Sequence, residues 1–262
     1  FIKPNIYKKQ SEIDFKIVNK YTQEKNTILI NKIFNNKGVE INKQEIKILL
    51  QPGINKISQI IRLNEISLWS PNNPSLYKIK SYIKIKDKTE DIVFENFGFR
   101  EFTVKDDRFY LNDKPIYLKA AFFEGLYPIK LAHPDSKEMV IKEIMMAKKA
   151  GFNMIRPWRK PPPPMWLKIA DSLGVLTVGS MAIECMDMPI ETPYLPRRVE
   201  NEITESILRD RNHVSIVQWE LFNEIRRPVL ANMLKPMALK ARDLDPTRMI
   251  LDESGGWAEG AN

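Results

Sequence analysis

The chain has 262 residues, 43% of them hydrophobic and 28% charged, with a formal net charge of +8 and a single cysteine, Cys185. One cysteine excludes an internal disulfide framework and a cysteine-based zinc cluster. No apolar run reaches the roughly 20 residues that a membrane-spanning helix needs, so no membrane partner is expected. Much of the positive charge sits on lysines that alternate with isoleucines, as in "YKIKSYIKIKDK" (77–88). That is the pattern of a strand with one wet face. Nucleic-acid binding requires basic residues clustered with exposed aromatics, and none is expected here. The sequence starts at Phe1 with no signal-like apolar segment behind it, and so reads as a processed or excised piece of chain.

Residues 1–101 read as all-β. Short runs rich in Ile and Val recur at 13–21, 26–35, 40–50, 55–63 and 76–86, separated by Asn, Gly, Asp and Pro. Their spacing predicts a β-sandwich of about a hundred residues. From Phe102 the period changes. "LNDKPIYLKAAFF" (111–123) predicts a hairpin-like turn followed by an apolar strand over 116–122.

An amphipathic helix follows at 136–151, with Gly151 where a C-cap belongs. "FNMIRPW" (152–158) is a strand, and a helix over 162–174 opens on prolines and stops at Gly174. "VLTVG" (175–179) is a strand, 197–211 a helix with Val199, Ile203 and Ile207 on one face, and "SIVQWELFNE" (215–224) a strand. A helix near 228–242 and a strand at 248–253 complete the series. Strand and helix alternating in this way predict parallel βαβ units over 102–262. In such sheets functional groups gather at the carboxyl ends of the strands. Arg156, Trp158, Glu184, Glu224 and Asp252 all fall at such ends.

Six stretches occur in order: "LWSPNNPSLY" (68–77), "FGFRE" (97–101), "LNDKPIYLKA" (111–120), "AGFNMIRPW" (150–158), "IADSLGV" (169–175) and "RDRNHVSIVQWELFNE" (209–224). As an ordered set they resemble the family 2 glycoside hydrolases, the β-galactosidases, β-glucuronidases and β-mannosidases, from about residue 60 onward. The resemblance implies an immunoglobulin-like β-sandwich over residues 1–101 followed by the first part, about five βα units, of a (β/α)8 TIM barrel. It makes Glu224 the catalytic general acid/base, at the end of the fourth barrel strand, and brings Asn223 to the sugar's 2-hydroxyl. It also implies a retaining exo-β-glycosidase that removes terminal β-linked sugars from oligo- or polysaccharides.

Retaining glycosidases hold two carboxyl groups about 5–5.5 Å apart across the scissile bond, one acting as acid/base and the other as nucleophile. The apolar strand beneath Glu224, with Trp219 close by in sequence, is expected to help desolvate the acid. The family's nucleophilic Glu lies on the seventh strand. About 160 residues follow Glu101, against the ~250 of a whole barrel, so half of the active site is expected from the remainder of the same protein. Neither Glu253 nor Glu259 matches the nucleophile's context. A non-catalytic carbohydrate-binding or assembly fragment is the alternative reading.

The chain departs from the family at "RPWRKP" (156–161), where Trp158 and Arg159 replace a Ser and a His of many members. Arg159 or Lys160 then either serves an anionic sugar or belongs to a solvated basic loop. Arg156, Trp158, Glu184 and Trp257 are the remaining candidate sugar contacts, with core packing as the other reading of each Trp. Glu184 aligns with a carboxylate that binds magnesium in some β-galactosidases. Met186 stands where the second ligand would be, so no such metal site is expected. With no Gly-rich phosphate loop and no His or Cys constellation, no cofactor is expected. His213 is read as a structural brace at the turn into its strand, and His133 as an exposed loop residue. The resemblance is compatible with a periplasmic or secreted location and with a cytoplasmic one.

Overall fold

A computed structural model describes residues 1–158, 160–183 and 192–256. The chain divides into two units, Phe1–Glu101 and Phe102–Asn262.

The first unit is a sandwich of seven strands: β1 (Ile2–Asn5), β2 (Gln10–Asn19), β3 (Lys25–Phe34), β4 (Glu40–Leu50), β5 (Gly53–Arg62), β6 (Tyr77–Ile85) and β7 (Lys88–Phe97). They form two sheets, ordered β1-β2-β5 and β4-β3-β6-β7, with antiparallel pairing throughout. This is an immunoglobulin-like arrangement. Alternation sends Ile13, Ile33, Ile61, Tyr77 and Ile79 inward, where they pack with Phe97 and Phe99. The β6 lysines point outward, and Lys78 and Lys80 lie over the Phe94 ring on the neighbouring strand. The strands β1 and β7 are absent from the sequence-derived set. Both are edge strands; β1 is only four residues long with Pro4 inside it, and β7 exposes most of its length, so neither carries the half-buried alternation that marks a strand.

The second unit opens with a small antiparallel sheet of β8 (Phe102–Lys105), β9 (Arg108–Leu111) and β10 (Lys114–Pro115). Its two turns place Asp106-Asp107 and Asn112-Asp113 at positive φ, the two-residue loop geometry that Asn and Asp tolerate. Five parallel strands follow: β11 (Ala120–Phe123), β12 (Met154–Pro157), β13 (Leu176–Ser180), β14 (Ile216–Asn223) and β15 (Met249–Ser254). The strand expected over 116–122 is therefore shorter and begins later.

Between these strands lie α1 (Lys137–Lys149), α2 (Pro164–Leu173), α3 (Leu195–Asp210), α4 (Pro228–Ala231) and α5 (Leu234–Leu244). Local chemistry sets their limits. The Ser136 side chain accepts from the Met139 amide at the start of α1. Pro164 opens α2, and Gly174 closes it in the left-handed region. The single helix expected near 228–242 is two, because Pro236 has no N–H to give. Restarting at Leu234 puts that proline in a first turn, where no donor is required.

The spatial order of the parallel strands is their chain order. The helices feed one core, in which Val140, Ile144, Leu167, Leu195, Val199, Ile203 and Ile207 meet Ile155, Trp219 and Leu221 of the strands. A doubly wound sheet would reverse its order at a switch point and carry helices on both faces. Sequential order with a shared helix layer is the front of a TIM barrel.

The amino ends of the strands carry the fastenings. His213 Nδ1 lies 2.6 Å from Asp171 Oδ2 of α2, and the Ser215 amide donates to Asp171 Oδ1 at 2.9 Å. His213 thus braces the turn into β14. Asp245, fully buried, accepts from Trp219 Nε1 (2.9 Å), the Thr247 amide (3.0 Å) and Thr247 Oγ1 (2.6 Å), and lies 3.3 Å from Arg248 Nη1. Arg248 in turn donates to the carbonyls of His213 and Ile216. Burial pushes the Asp245 carboxyl up, but Arg248 and the hydrogen bonds outweigh it and hold the group below its ordinary value.

A carboxyl depressed in the folded state stabilises above its unfolded pKa of about 3.9, and that contribution is lost as pH falls through the lower folded value. Asp245→Asn is therefore expected to cost about 2 kcal/mol at pH 7. The difference from the parent should shrink as urea unfolding is repeated below pH 4. A gap that stays constant down to pH 2 would contradict this assignment.

Candidate active site at the carboxyl ends of the barrel strands

The strand β14 delivers two of the residues singled out in the sequence. Asn223 ends the strand, and its amide donates to the Ile183 carbonyl (3.0 Å), which extends the parallel ladder past β13. Glu224 follows with φ +49, and its amide donates to the Ser254 carbonyl (2.8 Å) at the end of β15. A left-handed backbone is uncommon outside glycine and is maintained where surrounding contacts fix it. Here that contact is the β15 carbonyl, and the Glu224 side chain is half-buried above the strand ends.

Arg156, on β12, reaches the same place from the other side of β13. Its Nε donates to Glu220 Oε2 (3.0 Å) and its Nη2 to Glu220 Oε1, Asn223 Oδ1 (3.1 Å) and Ser254 Oγ (3.1 Å). Ser180 Oγ lies 3.0 Å from Glu220 Oε2 and 2.5 Å from the Pro157 carbonyl. Ser254 Oγ lies against Glu220 Oε1 and 2.7 Å from Asn223 Oδ1. Four adjacent strands are thus joined through one buried carboxylate. Arg156 is expected at the sugar, and its Nε and Nη2 are engaged with Glu220, Asn223 and Ser254. It fixes the amide oxygen of Asn223 toward itself.

The residues Glu220, Ser180 and Ser254 were missed in the sequence. A signal for Glu220 was present. Parallel strands buried on both faces read as continuous apolar runs, and a carboxylate inside "SIVQWELFN" must be paired to be tolerated. Trp219 does not desolvate Glu224 as expected. Its indole packs against Gly179 and gives its N–H to Asp245 in the helix-facing core.

Trp158 is half-buried just past β12, its ring 5.0 Å from that of Phe122 at 54° and its amide bound to the Phe123 carbonyl (3.0 Å). Phe122 is 56% exposed, so the pair forms an apolar ledge beside Arg156, its register neighbour across β11 and β12. Lys160 is tied into the protein rather than lying in a solvated basic loop. Its ammonium donates to the carbonyls of Gly125 (2.6 Å) and Ala132 (3.1 Å), clamping the loop after β11, and burial lowers its pKa. Tyr127 in that loop donates to Glu143 of α1 (3.2 Å). Burial raises the pKa of both groups, for Tyr127 with help from the Glu143 charge.

The Asp252 carboxylate accepts from the Glu253 amide (2.7 Å), and the Glu253 side chain accepts from the Gly256 amide (2.8 Å). His133 is exposed. The candidates Glu184 and Trp257, together with Arg159, Cys185, Met186 and Glu259, lie outside the described residues. Among the described residues no three His, Cys, Asp or Glu side chains converge as metal ligands.

A polar cluster and a half-buried carboxylate at the carboxyl end of the fourth of five sequential strands invite comparison with known proteins. The model of the TIM barrel domain of glycosyl hydrolases family 2 matches residues 102–262, and a second model of the same family matches residues 1–100. A β-galactosidase of Photobacterium profundum is 27% identical over 206 residues, which is 76% of this chain and 20% of the relative. A protein of Formosa agariphila with a provisional β-glucuronidase name is 32% identical over 195 residues, 72% of this chain and 18% of its own length. The chain thus spans about a fifth of the curated relatives it matches. Among solved structures, Bacteroides uniformis β-glucuronidase 2, covalently bound to cyclophellitol-6-carboxylate aziridine, superposes with a TM-score of 0.84 at 25% identity. That match covers 95% of this chain and 32% of that one. A Bacteroides cellulosilyticus member of the same hydrolase family shares the fold, with a TM-score of 0.84 at 22% identity over 92% of this chain and 32% of its own.

Proposed function

Because the chain belongs to glycosyl hydrolases family 2, we propose that it forms the acid/base half of a retaining exo-β-glycosidase active site, with Glu224 as the general acid/base. The observation that carries this reading is the position of Glu224, which follows the fourth barrel strand with its backbone fixed to Ser254 and its neighbour Asn223 oriented by Arg156. Strand carboxyl ends are where TIM barrels place their chemistry.

In the first step Glu224 gives its proton to the glycosidic oxygen as the bond to the anomeric carbon breaks and a carboxylate attacks that carbon from the other face. In the second it takes a proton from water as the water attacks the anomeric carbon and displaces the carboxylate, which releases the sugar with net retention. Asn223 offers its amide to the sugar's 2-hydroxyl, and Trp158 with Phe122 forms the apolar floor of the sugar site. The attacking carboxylate is assigned to chain outside these 262 residues, in keeping with the fifth of the relatives' length that they span. The covalent complex of the B. uniformis relative supports a mechanism that passes through a bond to the protein.

The test is hydrolysis of aryl β-galactosides and β-glucuronides by the natural protein that carries this chain, with proton NMR of the first-formed hemiacetal. β-Hemiacetal as the first product is the expected outcome. The α-anomer would replace double displacement by a single inversion. Binding without turnover would favour a non-catalytic carbohydrate-binding role.

A further inference from the structure

We propose that Gly255 is a positioning residue for Glu224, an inference that rests on the acid/base reading above. The bare α-carbon of Gly255 provides the space in which the Glu224 side chain lies, and so sets the direction of its carboxyl group. Gly255 follows β15 directly and has φ +104. A Cβ placed on it would stand 2.7 Å from Glu224 Cγ, 3.5 Å from its Cα and 3.6 Å from its Cβ.

The Cγ atom is the middle of that side chain, not its free tip, so no small bend at the end relieves the overlap. The backbone of Glu224 is equally fixed, with φ +49 and its amide bound to the carbonyl of Ser254, the residue beside Gly255. Two consecutive residues at the end of β15 therefore hold Glu224, one by its amide and the other by its side chain. An added methyl leaves χ1 of Glu224 one exit, rotation to another staggered well by about 120°. That rotation moves the carboxyl by several ångströms, and a displacement of ~1 Å in an active site already costs about 100-fold. Gly256 supplies an internal control. It too has positive φ (+67), but a Cβ placed there has nothing within 4 Å.

The experiment compares Gly255→Ala, Gly256→Ala and Glu224→Gln in the natural protein that carries this chain, on aryl β-glycosides of graded leaving-group acidity. Gly255→Ala is expected to lower kcat/KM about 100-fold for the poorest leaving groups and only a few-fold for the best, because only poor leaving groups need the displaced proton. Gly256→Ala should show the backbone penalty as a lower Tm and no leaving-group dependence. If the loss in Glu224→Gln is independent of the leaving group, the acid/base reading itself fails. If Glu224→Gln shows the dependence while Gly255→Ala loses nothing, or loses equally on all substrates, the inference about Gly255 alone is overturned.

Melting temperatures keep the inference testable where Gly255→Ala folds poorly. Combining it with Glu224→Ala deletes the Cγ that the methyl strikes, and should restore more than about half of the lost Tm. The absence of that recovery would overturn the contact as the cause.

Discussion

Glu224→Gln should lower kcat/KM by about 100- to 10,000-fold for a β-glycoside whose leaving group is a poor one, the range general acid catalysis contributes. The amide keeps the size and backbone preferences of the side chain, so the left-handed turn at residue 224 and its bond to Ser254 are retained. What disappears is the proton for the glycosidic oxygen. A nitrophenolate departs without one, so formation of the glycosyl intermediate from a nitrophenyl substrate should change little. Its breakdown still lacks a base for water, and kcat should fall with KM falling beside it as the intermediate accumulates. A pre-steady-state burst of nitrophenol in the variant is the decisive measurement. No burst, with the same loss for every leaving group, would remove Glu224 from the acid/base role.

Glu220→Ala should cost about 3–5 kcal/mol of stability, the amount associated with leaving one member of a buried ion pair unpartnered. The carboxylate is 3% exposed and the guanidinium of Arg156 29% exposed, so the remaining charge has only limited access to water. Ser180 and Ser254 keep acceptors in the Pro157 carbonyl and Asn223 Oδ1, so the cost falls mainly on the unpaired guanidinium. The chemical basis can be separated from packing by a paired replacement. Arg156→Met with Glu220→Leu removes both charges while keeping the volume, and should be markedly more stable than either single loss. It should nevertheless lose activity, since Ser254 alone then holds the Asn223 side-chain oxygen. Urea unfolding followed by tryptophan fluorescence supplies the comparison. Should the double variant be as unstable as Glu220→Ala, the ion pair is not what holds β12 to β14.

The change of period near Phe102, the prolines and glycines that bound the helices, and the Asn-Glu pair ending an apolar run were legible in the sequence by itself. Each is a local property. Alternation reports a half-buried strand, and a Pro or Gly acts on its own φ and N–H. Alternating strands and helices also made parallel βαβ units legible, while the barrel was implied by the family resemblance, because the same units build doubly wound sheets.

Only the tertiary structure decided what the polar residues face. Glu220 and Asn223 are three apart, so strict alternation would send them to opposite faces, yet both touch Ser254. That convergence depends on how the strand ends pack, as does the left-handed turn at Glu224. Arg156 finds its carboxylate 64 residues away, and Lys160 finds its carbonyls on another loop. In sequence both are basic residues beside a strand end, with no sign of being committed inside the protein. The edge strands β1 and β7 and the division of the helix around Pro236 were likewise set by neighbours. A buried charge is defined by its partner, and the fold brings partners together across distances that no local pattern spans.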